Sequence, residues 1–294
     1  MARNKHGLAR KIPTDVEQLV RKACGFGCVI CGSIPYEYDH LQVEFKDAKV
    51  HDPEDIVLLC DTHHKMKGNK LLSVEAIKRA LKSRAGENSE SRFKLPATSR
   101  DFEVNWAGNI IMASDNSVVV DGVPILSFVR TDNEMEPVLI SGQFRDRFGK
   151  VVCDISDNAF TSYAERLGDF TLIKNRFSYT LPGGPMGLAF ELNDRGMRIT
   201  YAYHVKNDVH VFAEGDLLQV GNLFTTLRLR KNKFLQMQQG IIVGSCSDNF
   251  AYDGVDLSKF PANEMIGNSV SRGYAGVLIE GRPRYRISSN YDRL

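Results

Sequence analysis

Residues 24–67 read CGFGCVICGSIPYEYDHLQVEFKDAKVHDPEDIVLLCDTHHKMK, and this stretch decides the organisation of the chain. Cys28 and Cys31 form a Cys-x-x-Cys knuckle, a turn tight enough for two thiolates to reach one ion. Zinc needs two further soft or borderline ligands to close a tetrahedron. Cys60 and His63 offer them with the same spacing at the far end of the stretch. Paired knuckles of this kind predict a structural Cys3His zinc site made of Cys28, Cys31, Cys60 and His63. The alternatives are a redox dithiol or a pair of buried thiols. A thioredoxin-like dithiol follows a strand and opens a helix within a βαβ pattern, and none flanks Cys28. Cys24, Cys153 and Cys246 read as small buried thiols, since cysteine is among the most buried residue types.

A second set of ligands remains. Cys60, His63 and His64 are expected on the first turn of a helix that continues through Lys67. Successive helical residues turn by about 100°, so His63 and His64 diverge and can serve different pockets. Tyr36-Glu37-Tyr38-Asp39-His40 alternates apolar and polar residues and predicts a short strand. Neighbours on a strand face opposite sides, so Asp39 and His40 can divide the labour. Asp39 suits a hard divalent ion, and His40 suits proton removal from water because imidazole titrates near neutrality. An ion at Asp39 would stabilise charge on a scissile phosphate and its leaving oxygen.

The combination of Cys-Val-Ile-Cys-Gly (28–32), Tyr-Asp-His (38–40), Ile-Val-Leu-Leu-Cys (56–60) and His-His-x-x-Lys (63–67) resembles an HNH endonuclease. The resemblance is to the ββα-metal type with zinc knuckles, and it covers about residues 8 to 85. Arg10-Lys11-Ile12-Pro13 leading to Val20-Arg21 resembles the helical lead-in of one subgroup. The resemblance implies that Asp39 is the metal-binding acid, His40 the general base and His64 the second metal-binding side chain. The family's middle residue is usually Asn, whereas this chain has Asp55. An aspartate can accept backbone N–H bonds and hold the loop, or reach the metal, but it cannot donate as an amide does. His51 reads either as a loop-capping surface residue or as a substrate contact.

Composition fits this picture. At 294 residues with 43% hydrophobic content, the chain can bury a core in each of two domains. No run approaches eighteen apolar residues, so no membrane span is expected. The basic start MARNKHGLARK is not followed by a hydrophobic region, so no secretory signal is expected. Three cysteines outside the knuckles suit a reducing, cytoplasmic compartment better than a disulfide framework. The net charge of +2 conceals a basic excess in the first hundred residues. Arg3, Lys5, Arg10 and Lys11 precede the stretch, and Lys70, Lys78, Arg79 and Lys82 follow it. Such clusters neutralise phosphates and favour nucleic acid, although a charge run is also an ordinary solvated face.

Pro13 fits the first turn of a helix whose apolar positions are Val16, Leu19, Val20 and Ala23. Ser73 can cap another helix carrying Val74, Ile77 and Leu81. Residues 85–100 are polar, lack apolar periodicity and read as a linker between a domain at 1–84 and one at 101–294. In the latter, short apolar runs are punctuated by turns at Asp121-Gly122, Asp146–Gly149, Asn193–Gly196 and Asn207-Asp208. The spacing predicts an antiparallel sandwich or barrel, with a β-solenoid ranked lower for want of a strict repeat. His204 and His210 read as packed or surface histidines. Pro182-Gly183-Gly184-Pro185 reads as a turn, too short of Lys or Ser/Thr to cradle phosphate. Arg282, Arg284 and Arg286 beside Tyr285 would share one strand face, solvated or touching nucleic acid.

The fold expectation is α+β: a small zinc-stabilised ββα-metal HNH domain followed by a β-rich, sandwich- or barrel-like domain. The functional expectation is a metal-dependent endonuclease hydrolysing DNA, with structural Zn2+ and catalytic Mg2+ or another divalent ion. Bacterial or phage genome defence or restriction is the setting by architectural analogy. The β-rich domain would sense a signal, bind a protein partner or assemble copies of the chain. The competing readings are a zinc-stabilised nucleic-acid-binding module without catalysis, and an RNA-directed nuclease.

Overall fold

The computed structural model describes residues 3–84, 90–95, 102–112, 115–130, 136, 138–146, 148–193, 195–222, 226–243, 263–266, 269–279 and 285–287. Side chains at 236–240, 242 and from 263 onward lie outside what is described, as do Cys246, Arg282 and Arg284. The chain forms two compact units. The first comprises Met1–Lys94 with two later segments, Thr161–Leu172 and Thr180–Pro185. The second comprises Leu95–Phe160, Ile173–Tyr179 and Met186–Leu294.

The first unit holds helix α1 (Thr14–Ala23), strands β1 (Glu37–His40) and β2 (Ile56–Leu59), helices α2 (Asp61–Gly68) and α3 (Val74–Arg84), and strand β3 (Glu90–Lys94). Pro13 precedes α1 as its N-cap, with Asp15 and Glu17 in the first turn and Arg21 and Lys22 in the last, the polarity that suits the helix dipole. Its buried face is Val20 with Cys24, whereas Leu19 points outward and is 56% exposed. The apolar stripe is thus narrower than the sequence suggests. Ser73 caps α3 as expected, its Oγ accepting from the Ala76 amide at 3.2 Å, and Ile77 is its fully buried residue.

Strands β1 and β2 pair antiparallel with Asp39 opposite Val57 and His40 opposite Ile56. All four residues of β2 are buried, so β2 forms the floor of the core with Val20, Cys24, Val29 and Ile77 packed against it. The knuckle closes through Gly32 N–H donating to the Cys28 carbonyl at 2.7 Å and Cys28 N–H to the Ser33 carbonyl at 3.0 Å. Gly32 takes φ +76 there, a left-handed conformation that glycine adopts without steric cost.

The polar stretch expected as a linker contains β3, which belongs to the first unit. It is held by backbone and polar groups, so no apolar periodicity marks it. Ser91 is buried and donates to the Gly25 carbonyl at 2.6 Å. Arg84 donates to the carbonyls of Cys24 and Glu90.

The later segments are fixed to the first unit by a buried ion pair. Arg21 Nε and Nη2 donate to the two carboxylate oxygens of Asp169 at 2.8 and 2.7 Å, and Nη1 donates to the Tyr38 hydroxyl at 2.7 Å. Burial works against the Arg21 charge, but the hydrogen bonds to Asp169 and Tyr38 prevail and its pKa is raised. Pro182–Pro185 is a tight turn, closed by Leu181 N–H to the Pro185 carbonyl and Gly184 N–H to the Leu181 carbonyl.

The second unit is strand-rich, and the expected hairpins form. Val120 faces Val123 across Asp121-Gly122. Strands Leu139–Arg145 and Val151–Ser156 pair antiparallel, as do Met186–Leu192 with Gly196–Lys206, and the latter with Val209–Glu214. The antiparallel expectation is incomplete, however. Gly196–Ile199 runs parallel to Glu103–Trp106, and Lys233–Val243 runs parallel to Ile110–Met112 and Asn116–Val120 along one edge and to Ser269–Ile279 along the other. The sheet to which these strands belong closes into a barrel, the barrel-like form expected from sequence, with the parallel pairs as its departure from a purely antiparallel arrangement.

Asparagines tie these turns together. Asn109 and Asn232 are fully buried and stacked, the Asn232 backbone and side-chain N–H groups both donating to Asn109 Oδ1 at 3.1 and 2.9 Å. Asn158 similarly satisfies the backbone of Val138 and Ile140. His204 and His210 are packed, and burial pushes each imidazole down to about 3. Cys153 is buried, as its apolar neighbours imply. No helix among the described residues is long and apolar enough to cross a membrane.

Candidate functional site

Two sets of ligand-type side chains lie in the first unit, and helix α2 contributes one histidine to each. Cys28, Cys31, Cys60 and His63 converge, with all four ligand atoms within 4.8 Å of one another. Cys31 Sγ and Cys60 Sγ are 3.8 Å apart, and His63 Nδ1 lies 3.2 Å from Cys60 Sγ and 3.5 Å from Cys28 Sγ. A tetrahedral ion with metal–sulfur bonds of about 2.3 Å and metal–nitrogen bonds of about 2.0 Å separates its ligands by about 3.5–3.8 Å. The cluster could therefore hold a metal ion such as zinc. Cys60 is the N-cap of α2 and His63 sits in its first turn, which explains why one knuckle can be built on a helix end. Burial pushes the Cys28 thiol up to about 11, so a cation is needed to make it a good thiolate. Cys24 stands apart, fully buried, pushed up to about 12 by burial, with its Sγ accepting from the Leu58 amide.

His64 turns the other way, toward β1. Its Nε2 lies 3.6 Å from Asp39 Oδ1 and its Nδ1 lies 3.5 Å from Glu37 Oε2. The second oxygen of Asp39 accepts from Lys67 Nζ at 2.6 Å, and Lys67 also donates to the His40 carbonyl. Lys67 thus bridges α2 to β1 and leaves Asp39 Oδ1 facing His64. Asp39 and His64 can give a divalent ion one oxygen and one nitrogen ligand, leaving further positions for water and phosphate. Glu37 was missed in the sequence reading. Its signal was available, because on a strand Glu37 and Asp39 share a side.

His40 lies on the opposite side of β1 from Asp39. Its ring is 6.0 Å from that of Phe45 and 5.7 Å from that of His51. Burial, followed by the neighbouring His51, lowers the His40 pKa. Asp55 is brought to the same loop but not to the Asp39–His64 pair. Its Oδ1 accepts from the Gln42 amide at 2.8 Å and its Oδ2 from the Val43 amide at 3.0 Å, while its carbonyl accepts from Leu41. Asp55 therefore holds the chain as it leaves β1, one of the two roles open to it from sequence.

Comparison with family models, with curated proteins and with solved structures found no match.

Proposed function

We propose that the chain is a divalent-metal-dependent endonuclease of the HNH type that hydrolyses DNA phosphodiester bonds. The observation that carries the reading is the division of ligands between a Cys3His cluster and a separate Asp39–His64 pair, with His40 on the other side of one strand. Structural zinc sites use four protein ligands, whereas catalytic sites keep positions open. In this reading Cys28, Cys31, Cys60 and His63 bind Zn2+ and fix α2 against β1.

Asp39 Oδ1 and His64 Nε2 would hold Mg2+ or another divalent ion, which when bound stabilises charge at the phosphate and the leaving oxygen. His40 takes the proton of the attacking water. In-line phosphoryl transfer places attacking and leaving oxygens on opposite sides of phosphorus. The alternation of Asp39 and His40 on β1 supplies two such sides. Lys67, bonded to the other oxygen of Asp39, holds that carboxylate aimed at His64. Arg3, Lys5, Arg10 and Lys70 supply the positive surface that phosphates require. A nuclease joined to a strand-rich unit fits a cytoplasmic defence or restriction protein, with the second unit engaging a partner, a signal or another copy.

One observation favours a binding module without catalysis: an ammonium already sits on Asp39. Supercoiled plasmid incubated with purified protein in Mg2+, Mn2+ or chelator separates the two. Nicking that requires the divalent ion and falls about 100- to 10,000-fold in His40→Ala is the expected result. Binding without cutting would establish the module instead, and cutting of RNA alone would redirect the substrate.

A further inference from the structure

Glu37 stands at the site with no task assigned to it by the proposed reaction. Strand alternation puts Glu37 and Asp39 on one side of β1, about 6.6 Å apart along the strand. Buried partners fix their register, Glu37 opposite Leu59 and Asp39 opposite Val57. Cys60 follows Leu59 and caps α2, and the His64 amide donates to the Cys60 carbonyl at 2.9 Å. The His64 ring stands between the two carboxylates. Glu37 Oε2 is 3.5 Å from its Nδ1, and Asp39 Oδ1 is 3.6 Å from its Nε2.

The two carboxylates cannot play the same part. A carboxylate only accepts, and a neutral imidazole has one N–H to give. If one ring nitrogen gives its hydrogen to a carboxylate, the other meets its carboxylate with a lone pair, and a cation belongs between them. Asp39 is the side where a cation fits, since its second oxygen already binds the Lys67 ammonium at 2.6 Å. Glu37 does not join Asp39 and His64 in one ligand set. Among the described residues, only Cys28, Cys31, Cys60 and His63 bring three or more ligand atoms within 4.8 Å of one another. Lys65, beside His64 on α2, donates to Asp61 at 2.7 Å and not to Glu37. Packing does not hold the ring either: no residue of α2 is buried, and the His64 side chain is 43% exposed.

We infer that Glu37 is a positioning residue for the divalent ion: its carboxylate accepts from His64 Nδ1–H and so aims the Nε2 lone pair at the ion beside Asp39. The inference rests on the reading of Asp39 and His64 as ligands of that ion. A metal-bound histidine usually gives its other ring N–H to a carboxylate or carbonyl, which fixes both its tautomer and its ring orientation. The 3.5 Å separation exceeds the roughly 2.7–3.2 Å of a formed hydrogen bond. The Glu37 side chain is 64% exposed and has room to close that gap. Glu37 acts through His64 alone; it takes up no proton and touches no substrate.

The test is Mn2+ binding to the zinc-loaded full chain, read from the EPR signal of free Mn2+, in wild type, Glu37→Ala, Glu37→Gln and Asp39→Ala. Glu37→Ala should weaken Mn2+ binding about 10- to 100-fold, with zinc content and thermal unfolding midpoint at wild-type values. In Glu37→Gln the amide oxygen still accepts from Nδ1–H, so most of the lost affinity should return. Unchanged affinity in Glu37→Ala would overturn the inference. So would equal losses in the two variants, which would make Glu37 a ligand or a bare charge. Loss of Mn2+ in Asp39→Ala beside an unaffected Glu37→Ala would leave the divalent site standing and remove only the part given to Glu37. A wild type that binds no Mn2+ removes both. If the Glu37 variants lose zinc or fold, 15N spectra of histidine-labelled wild-type protein with Mg2+ decide the matter. His64 must then carry its hydrogen on Nδ1, and the Nε2–H tautomer contradicts the inference.

Discussion

The Cys28/Cys31/Cys60/His63 cluster and the Asp39/His64 pair are joined by adjacent histidines on one helix turn, yet they are built differently. The first brings four ligand atoms within 4.8 Å of one another. The second brings two atoms to 3.6 Å and shares its carboxylate with Lys67. His63 and His64 part because one residue of helix is about 100° of rotation. A closed set of ligands can hold a fold, and an open pair can admit a substrate. In the proposed reading one helix end serves both.

The strongest attempt to break this comparison removes a ligand from the closed cluster. Structural zinc is worth about 10–16 kcal/mol in small folded peptides, comparable to or larger than the stability of a whole domain, about 5–15 kcal/mol. Cys28→Ser should therefore unfold the first unit at 25 °C and release zinc, as circular dichroism and metal analysis would reveal. A folded, zinc-replete Cys28→Ser protein would show that the cluster is not what holds the unit.

A smaller effect sharpens the other side. Tyr38 precedes Asp39, and its hydroxyl is held by Arg21, whose charge is balanced by Asp169. Removing one partner of a buried ion pair costs about 3–5 kcal/mol. Asp169→Ala should lose that much stability in urea denaturation of the full chain while keeping zinc. A loss below about 1 kcal/mol, the value of an ordinary surface pair, would mean that β1 is positioned without this support.

Local spacing made the knuckles, the divergence of His63 and His64, the Ser73 cap and the hairpin turns legible, because each depends on residues a few positions apart. The Arg21–Asp169 pair was hidden, since nothing in a charge pattern marks a partner more than a hundred positions away. Strand β3 was hidden because it is held by the Ser91 hydroxyl donating to the Gly25 carbonyl and by Arg84 donating to the Glu90 carbonyl where apolar side chains usually would serve. The parallel pairs were hidden for another reason. Glu103 meets Gly196, Ile110 meets Lys233 and Lys233 meets Ser269, so unequal lengths of chain separate the paired strands and no fixed repeat shows. The lone asparagines after turn residues, Asn109 and Asn232 above all, were the available signal. The contact between the His40 and His51 rings was not legible, although His51 stood out as a loop cap or a substrate contact.

The division of labour is tested most directly by mild chelation of the wild-type protein. Dialysis against EDTA should abolish plasmid cleavage while one zinc per chain remains and the thermal unfolding midpoint is unchanged, and added Mg2+ should restore cutting. Cleavage that persists without free divalent ion, or that disappears only in step with zinc and structure, would contradict the separation of a closed structural cluster from an open catalytic one.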